Sequence, residues 1–209
     1  MNGDPDLGSM DFGIDINEMV AQRLATQTKK TVHLKELLRD TKFTKEEIKN
    51  MYRGFKQECP GGIVQEDTFK EIYAKFFPHG NSALYAHHVF KAFDTNRNGS
   101  ISFRDMLVSL STLLRGTTHE KLRWTFTLYD LNGDGFITKQ EVLNVMVAVH
   151  DLMGFHGTPM REVVEPNVDE IFNRLDTNRD GVVTIDEFIH ACQTDPTISC
   201  SLQNFDSRL

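Results

Sequence analysis

Three twelve-residue segments of this 209-residue chain repeat one pattern, and they lie at 94–105, 130–141 and 176–187. Each begins with aspartate, has oxygen-bearing side chains at its third and fifth positions, glycine at its sixth and an acid at its twelfth. A calcium ion takes about six to eight oxygen ligands in a flexible shell, and alternate positions of a short loop can turn inward to supply them. The glycine permits the sharp bend that other residues resist. The repeat therefore predicts three cation-binding loops.

The pattern is that of the EF-hand, in which one helix precedes and another follows the twelve-residue loop. The same repeat length also places a fourth segment at 57–68, so the four segments are named loops 1 to 4 in chain order. In loop 1, ligand positions are taken by Gln57, Cys59 and Gly61, and Thr68 replaces the closing acid. We expect loop 1 to bind no calcium and to serve as the structural partner of loop 2.

Loops 3 and 4 carry every type of ligand that calcium needs in such a loop. The candidate ligands are Asp130, Asn132, Asp134, the carbonyl of Phe136 and Glu141 in loop 3, and Asp176, Asn178, Asp180, the carbonyl of Val182 and Glu187 in loop 4. Each closing glutamate has the length to bind through both carboxylate oxygens. We expect both loops to bind Ca²⁺ with dissociation constants of about 10⁻⁷–10⁻⁵ M.

Loop 2 offers a weaker set of candidate ligands, namely Asp94, Asn96, Asn98, Ser100 and Asp105. Asn98 is neutral where loops 3 and 4 have aspartate, and Asp105 is one methylene shorter than their closing glutamate. A shorter side chain reaches an ion through one oxygen more easily than through two, and magnesium prefers a compact octahedral shell. The sequence therefore predicts that loop 2 holds Mg²⁺ or binds Ca²⁺ weakly.

The formal net charge of −7 comes mostly from loops 2, 3 and 4, which contain eight acids at ligand positions. Three bound divalent ions would add six charges and leave about −1, so the acidity does not call for a cationic partner. We expect no nucleic-acid partner, because the chain has no basic stripe. Three cysteines without metal-type spacing indicate reduced thiols and a cytoplasmic protein. The eight histidines form no nucleophile–base pattern, so we expect no enzymatic activity.

Helix signals bracket the loops and predict an all-α fold of two lobes, each a pair of EF-hands. We place the N-lobe, with degenerate loop 1 and loop 2, at 41–114, and the C-lobe, with loops 3 and 4, at 115–194. Segment 1–40 is expected to be variable and partly disordered. Segment 195–209 is expected to form a C-terminal amphipathic helix.

Capping residues and helix-terminating glycines predict where several helices begin and end. Capping boxes at 44–47 and 117–120 indicate two helix starts, and Gly116 is suited to end the helix between them. Segment 154–168 mixes glycine, proline and charge, which predicts a mobile loop between the third and fourth hands.

The chain resembles the neuronal calcium sensor, or recoverin, family and within it the Kv channel-interacting proteins, which are auxiliary subunits of Shal-type A-current potassium channels. The resemblance covers roughly 41–205 and rests on 52–56, 71–78, 114–117, 181–188, the Cys59-Pro60 pair in loop 1, and Asp105. Many relatives begin Met-Gly and carry a myristoyl group, whereas Asn2 follows Met1 here. We therefore expect no myristoyl anchor on this chain.

The resemblance implies an apolar groove on the N-lobe that accommodates the amphipathic N-terminal helix of a channel subunit. The predicted groove residues are Tyr52, Phe55, Phe69, Ile72, Tyr73, Phe76, Phe77, Tyr85, Phe90, Phe93, Leu110, Leu113, Leu114 and Trp124. The alternative for any one of these side chains is ordinary core packing. The C-terminal helix carries Ile198, Leu202 and Phe205 on one side, and we expect it to act as an autoinhibitory helix that fills the groove without a partner.

Three functions agree with these features. A channel subunit would be recruited to the plasma membrane through its channel, as a homodimer or a complex of four copies with four channel subunits. A calcium-dependent regulator of a cyclase, kinase or phosphatase is the main alternative. A calcium buffer would change shape little, and the aromatic content of the N-lobe argues against it.

Overall fold

The computed structural model describes residues 34–78, 80–154 and 160–198, with side chains from 164 onward in the last range. The fold is mostly helical, which confirms the predicted fold class, and the short strands serve only to pair the loops. The elements in chain order are α1 (Leu34–Asp40), α2 (Lys45–Glu58), β1 (Ile63–Gln65), α3 (Glu66–Phe76), α4 (Ala83–Phe93), β2 (Ser100–Ser102), α5 (Phe103–Arg115), α6 (Thr118–Tyr129), β3 (Phe136–Thr138), α7 (Lys139–Leu152), α8 (Met160–Leu175), β4 (Val182–Thr184) and α9 (Ile185–Thr194).

The loops are joined in two pairs by short antiparallel strands. β1 pairs with β2, which sets Val64 opposite Ile101, and β3 pairs with β4, which sets Ile137 opposite Val183. All four of these side chains are buried, so each pairing also closes part of the hydrophobic core. The prediction that loop 1 partners loop 2 despite its missing ligands is confirmed.

Both predicted capping boxes are present. Thr44 accepts a hydrogen bond from the Glu47 backbone N–H at the start of α2, and its own N–H donates to the Glu47 carboxylate at 2.8 Å. Thr117 and Glu120 make the same pair of bonds at the start of α6. Gly116 ends α5, as predicted, and its N–H donates to the Thr112 carbonyl at 2.8 Å.

The two EF-hand pairs pack against each other through α4 and α5 on one side and α6 and α7 on the other. Phe93 of α4 meets Trp124 of α6 with 5.6 Å between ring centroids. Just before α4, the Asn81 N–H donates to the carbonyl of Asp151, near the C-terminal end of α7, at 3.0 Å. These contacts hold the helices that enter loops 2 and 3 side by side.

Helix α1 lies within the segment predicted to be variable, yet it packs on α2 and α5. Leu37 is buried in the core, and Arg104 of α5 forms ion pairs with Glu36, at 3.3 Å, and with Asp40. Residues 34–40 therefore belong to the folded body next to loop 2. The remainder of that predicted segment, 1–33, lies outside the described residues.

The prediction of a loop over 154–168 is wrong from residue 160 onward, because α8 begins at Met160 and continues through Pro166. Its apolar residues recur every three to four positions and are buried: Val164, Val168, Ile171, Phe172 and Leu175. Burial stabilises by about 1.5–3 kcal/mol for each large side chain, which together exceeds the roughly 3 kcal/mol cost of an interior proline. Residues 155–159 lie outside the described residues.

After α9 the chain turns at Asp195, whose side chain accepts a hydrogen bond from the Thr197 N–H at 2.9 Å. Arg174 of α8 pairs with Asp195 at 3.1 Å and anchors this turn. Ile198 follows and is only 2% exposed. The remainder of the predicted tail helix, with Leu202 and Phe205, lies outside the described residues. Among the described helices, none has the length and apolarity that crossing a membrane requires.

Candidate metal centres

Loops 2, 3 and 4 share one internal scaffold, in which the first aspartate binds the backbone around the glycine. In loop 3, the two oxygens of Asp130 accept hydrogen bonds from the N–H groups of Asp134 and Gly135 at 3.1 and 3.0 Å. Asp94 and Asp176 make the equivalent bonds in loops 2 and 4. The first candidate ligand of each loop therefore already points to the centre of its loop.

The fourth position of each loop adopts a left-handed backbone conformation. It is occupied by Gly133 in loop 3, with φ of 70°, but by Arg97 and Arg179 in loops 2 and 4, with φ of 51° and 60°. The left-handed region costs a residue with a side chain roughly 1 kcal/mol. This bend turns the third and fifth positions toward the same side, where their oxygens can serve one ion.

The twelfth position closes each loop and also begins the next helix. In loop 3, one oxygen of Glu141 accepts hydrogen bonds from the Thr138 N–H and hydroxyl, both at 2.8 Å, and the other accepts from the N–H groups of Leu131 and Asn132. Glu141 is thus the third residue of α7 and completes a capping box with Thr138 at the start of that helix. Because one carboxylate caps the helix and closes the loop, any ion that it binds is linked directly to α7.

The same capping boxes join Ser102 to Asp105 and Thr184 to Glu187. This capping role of the ninth position was not identified from the sequence. The signal was available, because a serine or threonine three residues before an acid is the capping-box pattern. Burial acts to raise the pKa of Glu187, but the hydrogen bonds from Thr184, Thr177 and the Asn178 N–H outweigh it and lower the pKa below its ordinary value.

Loop 2 departs from the other two at its centre. In loops 3 and 4, the third-position asparagine amide donates to the fifth-position aspartate at 2.9 Å. In loop 2, the Asn96 amide instead donates to Asp105 at 2.7 Å, and the Thr95 hydroxyl joins it at 2.5 Å. Asp105 is 1% exposed and both of its oxygens accept protein hydrogen bonds.

The seventh residue of each loop, which offers a backbone carbonyl as a ligand, is also the first residue of a paired strand. Phe136 and Val182 lie at the starts of β3 and β4, and their N–H groups donate to the fifth-position aspartates at 2.9 and 3.0 Å. In loop 2, Ser100 begins β2 and donates to Asn98 through both its N–H and its hydroxyl. Hydrogen bonds within each loop thus link its candidate ligands to one another and to the loop backbone.

Within the described residues, no group of three or more His, Cys, Asp and Glu side chains is arranged to hold a metal ion. The carboxylates of the loops face backbone N–H groups, and an EF-hand also relies on amide and carbonyl oxygens. The fit of loops 2, 3 and 4 to a hard cation therefore rests on the kind and order of their oxygen donors. All three have oxygen at the first, third, fifth, seventh and twelfth positions.

Loop 1 contains a different arrangement. The ammonium group of Lys56 donates to the Pro60 carbonyl, and the Gly62 N–H donates to the Cys59 carbonyl at 2.9 Å. Cys59 is buried, and burial raises the pKa of its thiol. The Lys56 ammonium group and the Gly62 N–H therefore bind two carbonyl oxygens of loop 1. This agrees with the lack of carboxylate ligands in the loop.

The predicted groove residues separate into three groups by exposure. Phe55, Tyr73, Tyr85, Phe90 and Phe93 are buried in the core; Phe69, Ile72, Phe77, Leu110, Leu113 and Trp124 are half-buried; Tyr52, Phe76 and Leu114 are exposed. Among the residues that the structure describes, Phe76 and Leu114 are the most exposed large apolar side chains, at 74% and 67%. The side chains available to a partner are therefore fewer than the predicted set, and the buried group belongs to the hydrophobic core.

Two family models match the chain, and each describes an EF-hand domain pair. One matches residues 60–111, across loops 1 and 2, and the other matches 119–193, across loops 3 and 4. Together with the paired loops and the hydrogen-bond scaffold that loops 2, 3 and 4 share, these matches identify the chain as an EF-hand calcium-binding protein with two EF-hand pairs. EF-hand pairs of this kind respond to calcium by moving helices, so calcium sensing is the function that they support.

Proposed function

We propose that this protein is a calcium-sensing auxiliary subunit of Shal-type A-current potassium channels, which binds the cytoplasmic N-terminal helix of the channel subunit and alters gating and surface expression. The observation that carries the proposal is the exposure of Tyr52, Phe76 and Leu114 on the N-lobe beside half-buried apolar side chains. Exposed large apolar side chains can contact a protein partner, and the apolar face of an amphipathic helix matches their chemistry. The resemblance of the sequence to the channel-interacting proteins supports this choice of partner.

In this proposal, loops 3 and 4 bind Ca²⁺ and loop 2 holds Mg²⁺ or binds Ca²⁺ weakly. Calcium would supply a divalent charge at the ligand oxygens of each loop. Glu141 and Glu187 would hold the ion while they also cap α7 and α9. The hydrogen bonds that now hold each exiting helix in place would be rearranged, so α7 and α9 shift relative to α6 and α8.

Loop 2 is proposed to be the ion site that responds least to calcium. Its Asp105 is short, buried and held by four hydrogen bonds, two of which come from Thr95 and Asn96 within the loop. Because Asp105 is one methylene shorter than Glu141 and Glu187, it would reach an ion through one oxygen, which suits the compact shell of magnesium. The N-lobe would therefore keep one shape across cellular calcium concentrations, and partner binding there would be partly independent of calcium.

The tail is proposed to cover the N-lobe surface until the channel helix displaces it. Ile198 is buried and therefore fixes the start of the tail on the folded body. The test is a full-length Leu202→Ser, Phe205→Ser variant, which keeps Ile198 in place. We expect it to bind a synthetic channel N-terminal peptide several-fold more tightly, and unchanged affinity would rule the autoinhibitory role out.

The main experiment is coexpression with a Shal-type channel, with current density and inactivation as readouts. We expect the wild-type chain to change both and to move with the channel to the plasma membrane. A Phe76→Ser, Leu114→Ser variant should lose the effect, whereas the control Met153→Ser, which alters an exposed apolar residue of the C-lobe, should keep it. No change in current with the wild-type chain would overturn the channel assignment and favour a calcium-dependent enzyme regulator.

A further inference from the structure

Two cationic side chains of the second EF-hand reach the backbone of loop 3 in the other EF-hand pair. Arg97, at the fourth position of loop 2, donates from Nη1 to the Gly133 carbonyl at 3.1 Å. Lys91, in the last turn of α4, donates from Nζ to the Leu131 carbonyl at 3.5 Å. These contacts cross 36 and 40 residues of sequence, and they bring two positive charges to the edge of a candidate cation site.

The guanidinium group of Arg97 lies directly against the backbone of Gly133. A Cβ atom added at Gly133 would overlap the guanidinium group of Arg97. The left-handed φ of 70° at Gly133 also favours glycine, so two independent features of this position agree. Loop 4 has Arg179 at the same position, and within the described residues Arg179 makes no hydrogen bond or ion pair.

The two carbonyls involved are not ligands. Leu131 and Gly133 occupy the second and fourth positions, whereas an EF-hand draws its ligands from the first, third, fifth, seventh, ninth and twelfth. Arg97 and Lys91 therefore leave the ligand oxygens of loop 3 free. Their effect on a bound cation is electrostatic, because like charges near a site lower its affinity for a positive ion.

We propose that Arg97 and Lys91 are positioning residues through which the second EF-hand sets the calcium sensitivity of loop 3. Their charges lower the calcium affinity of loop 3, and their bonds tie its outer backbone to loop 2 and to α4. Loops 3 and 4 have the same ligand types at the first, third, fifth and twelfth positions, so a comparison of the two loops isolates the effect of charges outside the ligand set. The inference rests on the proposed binding of calcium in loop 3, and it is independent of the channel partner.

The test follows loops 3 and 4 separately in one calcium titration of the full chain by amide NMR. The N–H groups of Gly135 and Gly181 suit this purpose, because each donates to the first aspartate of its own loop at 3.0 Å. Arg97→Gln removes a charge but keeps an amide donor, and Arg97→Lys keeps the charge. Arg179→Gln is the matched control, since it makes the same change at the same position of loop 4.

We expect Arg97→Gln to lower the calcium midpoint of Gly135 by roughly three- to ten-fold at low salt and to leave that of Gly181 in place. The difference from wild type should shrink at 0.5 M KCl, because added salt screens exposed charges. Lys91→Gln should act in the same direction, Arg97→Lys should stay close to wild type, and Arg179→Gln should move the midpoint of Gly181 instead.

An unchanged or raised Gly135 midpoint in Arg97→Gln would overturn the inference, as would equal shifts of Gly135 and Gly181. These results are distinct from a failure of the calcium assignment itself. In that case the Gly135 signal of the wild-type chain would not respond to calcium at all. The spectrum of each variant in chelator also shows directly whether it has folded.

Discussion

Phe93 and Trp124 meet edge to face, with 83° between the ring planes. Phe93 is the last residue of α4, immediately before loop 2, and Trp124 lies in α6, which leads into loop 3. The pair therefore joins the entering helices of two loops that belong to different EF-hand pairs. Because Trp124 is the only tryptophan of the chain, its fluorescence reports on this junction.

The closing glutamates should determine the number of tight calcium sites. Glu141→Gln and Glu187→Gln each remove the charge and one strong oxygen ligand from a single loop, so each should lower the number of tight sites from two to one. Isothermal titration calorimetry in the presence of millimolar Mg²⁺ measures this directly. Asp186→Asn is a suitable control, because it removes a charge beside Glu187 at a position that supplies no ligand.

Lengthening the closing acid of loop 2 should strengthen its calcium binding. Asp105→Glu adds one methylene at a position where Glu141 and Glu187 already fit the same capping box, so the substitution suits the backbone. We expect calcium affinity at loop 2 to rise about ten-fold or more as bidentate binding becomes possible. The reciprocal Glu141→Asp should weaken loop 3. Calorimetry showing that wild-type loop 2 already binds calcium as tightly as loops 3 and 4, with or without Mg²⁺, would contradict the assignment.

The junction between the two EF-hand pairs should tolerate no side chain at Gly116. A Cβ atom there would overlap the Thr112 carbonyl oxygen, which also accepts the Gly116 N–H bond. Gly116→Ala should lower the free energy of unfolding by about 1–3 kcal/mol, as other overpacked sites do. Gly54→Ala in α2 is the control, because its Cβ meets nothing within 4 Å and should stabilise the helix by roughly 0.5–1 kcal/mol. Urea unfolding compares the two.

Stability should depend on pH through His88. Burial lowers its pKa to about 4 from an ordinary 6.5, with His87 and Lys91 acting in the same direction. Between pH 6.5 and pH 4, the unfolded chain binds a proton at His88 that the folded chain does not. The free energy of unfolding is therefore unaffected by His88 above pH 6.5 and decreases as the pH falls toward 4. His88→Gln should flatten that part of the curve, whereas His119→Gln, at an exposed position, should not. Urea unfolding at pH 7.0, 5.5 and 4.5 provides the measurement.

Features that depend on local sequence patterns were predicted most accurately. The capping box at Thr44, the stop at Gly116 and the pairing of loops 1 and 2 all depend on residues close in the chain or on a repeat, and all were predicted correctly. The loop predicted over 154–168 failed because proline and glycine were given more weight than the apolar spacing that buries Val164 and Val168.

Contacts between segments that are far apart in the chain could not be predicted from the sequence. The bond from Arg97 to Gly133 depends on how two EF-hand pairs pack, and neither residue carries a local sign of the other. The division of the groove residues into core and surface has the same origin. Phe76 and Phe90 are both aromatic residues near helix ends, yet only the packed structure leaves the first exposed and buries the second.

The central claim is that calcium bound at loops 3 and 4 rearranges the helices beside them. Near-ultraviolet circular dichroism together with Trp124 fluorescence, recorded in chelator and in excess Ca²⁺, tests it most directly. The account predicts different spectra in the two conditions for the wild-type chain and no difference for the Glu141→Gln, Glu187→Gln variant. Identical wild-type spectra in chelator and in calcium would contradict it.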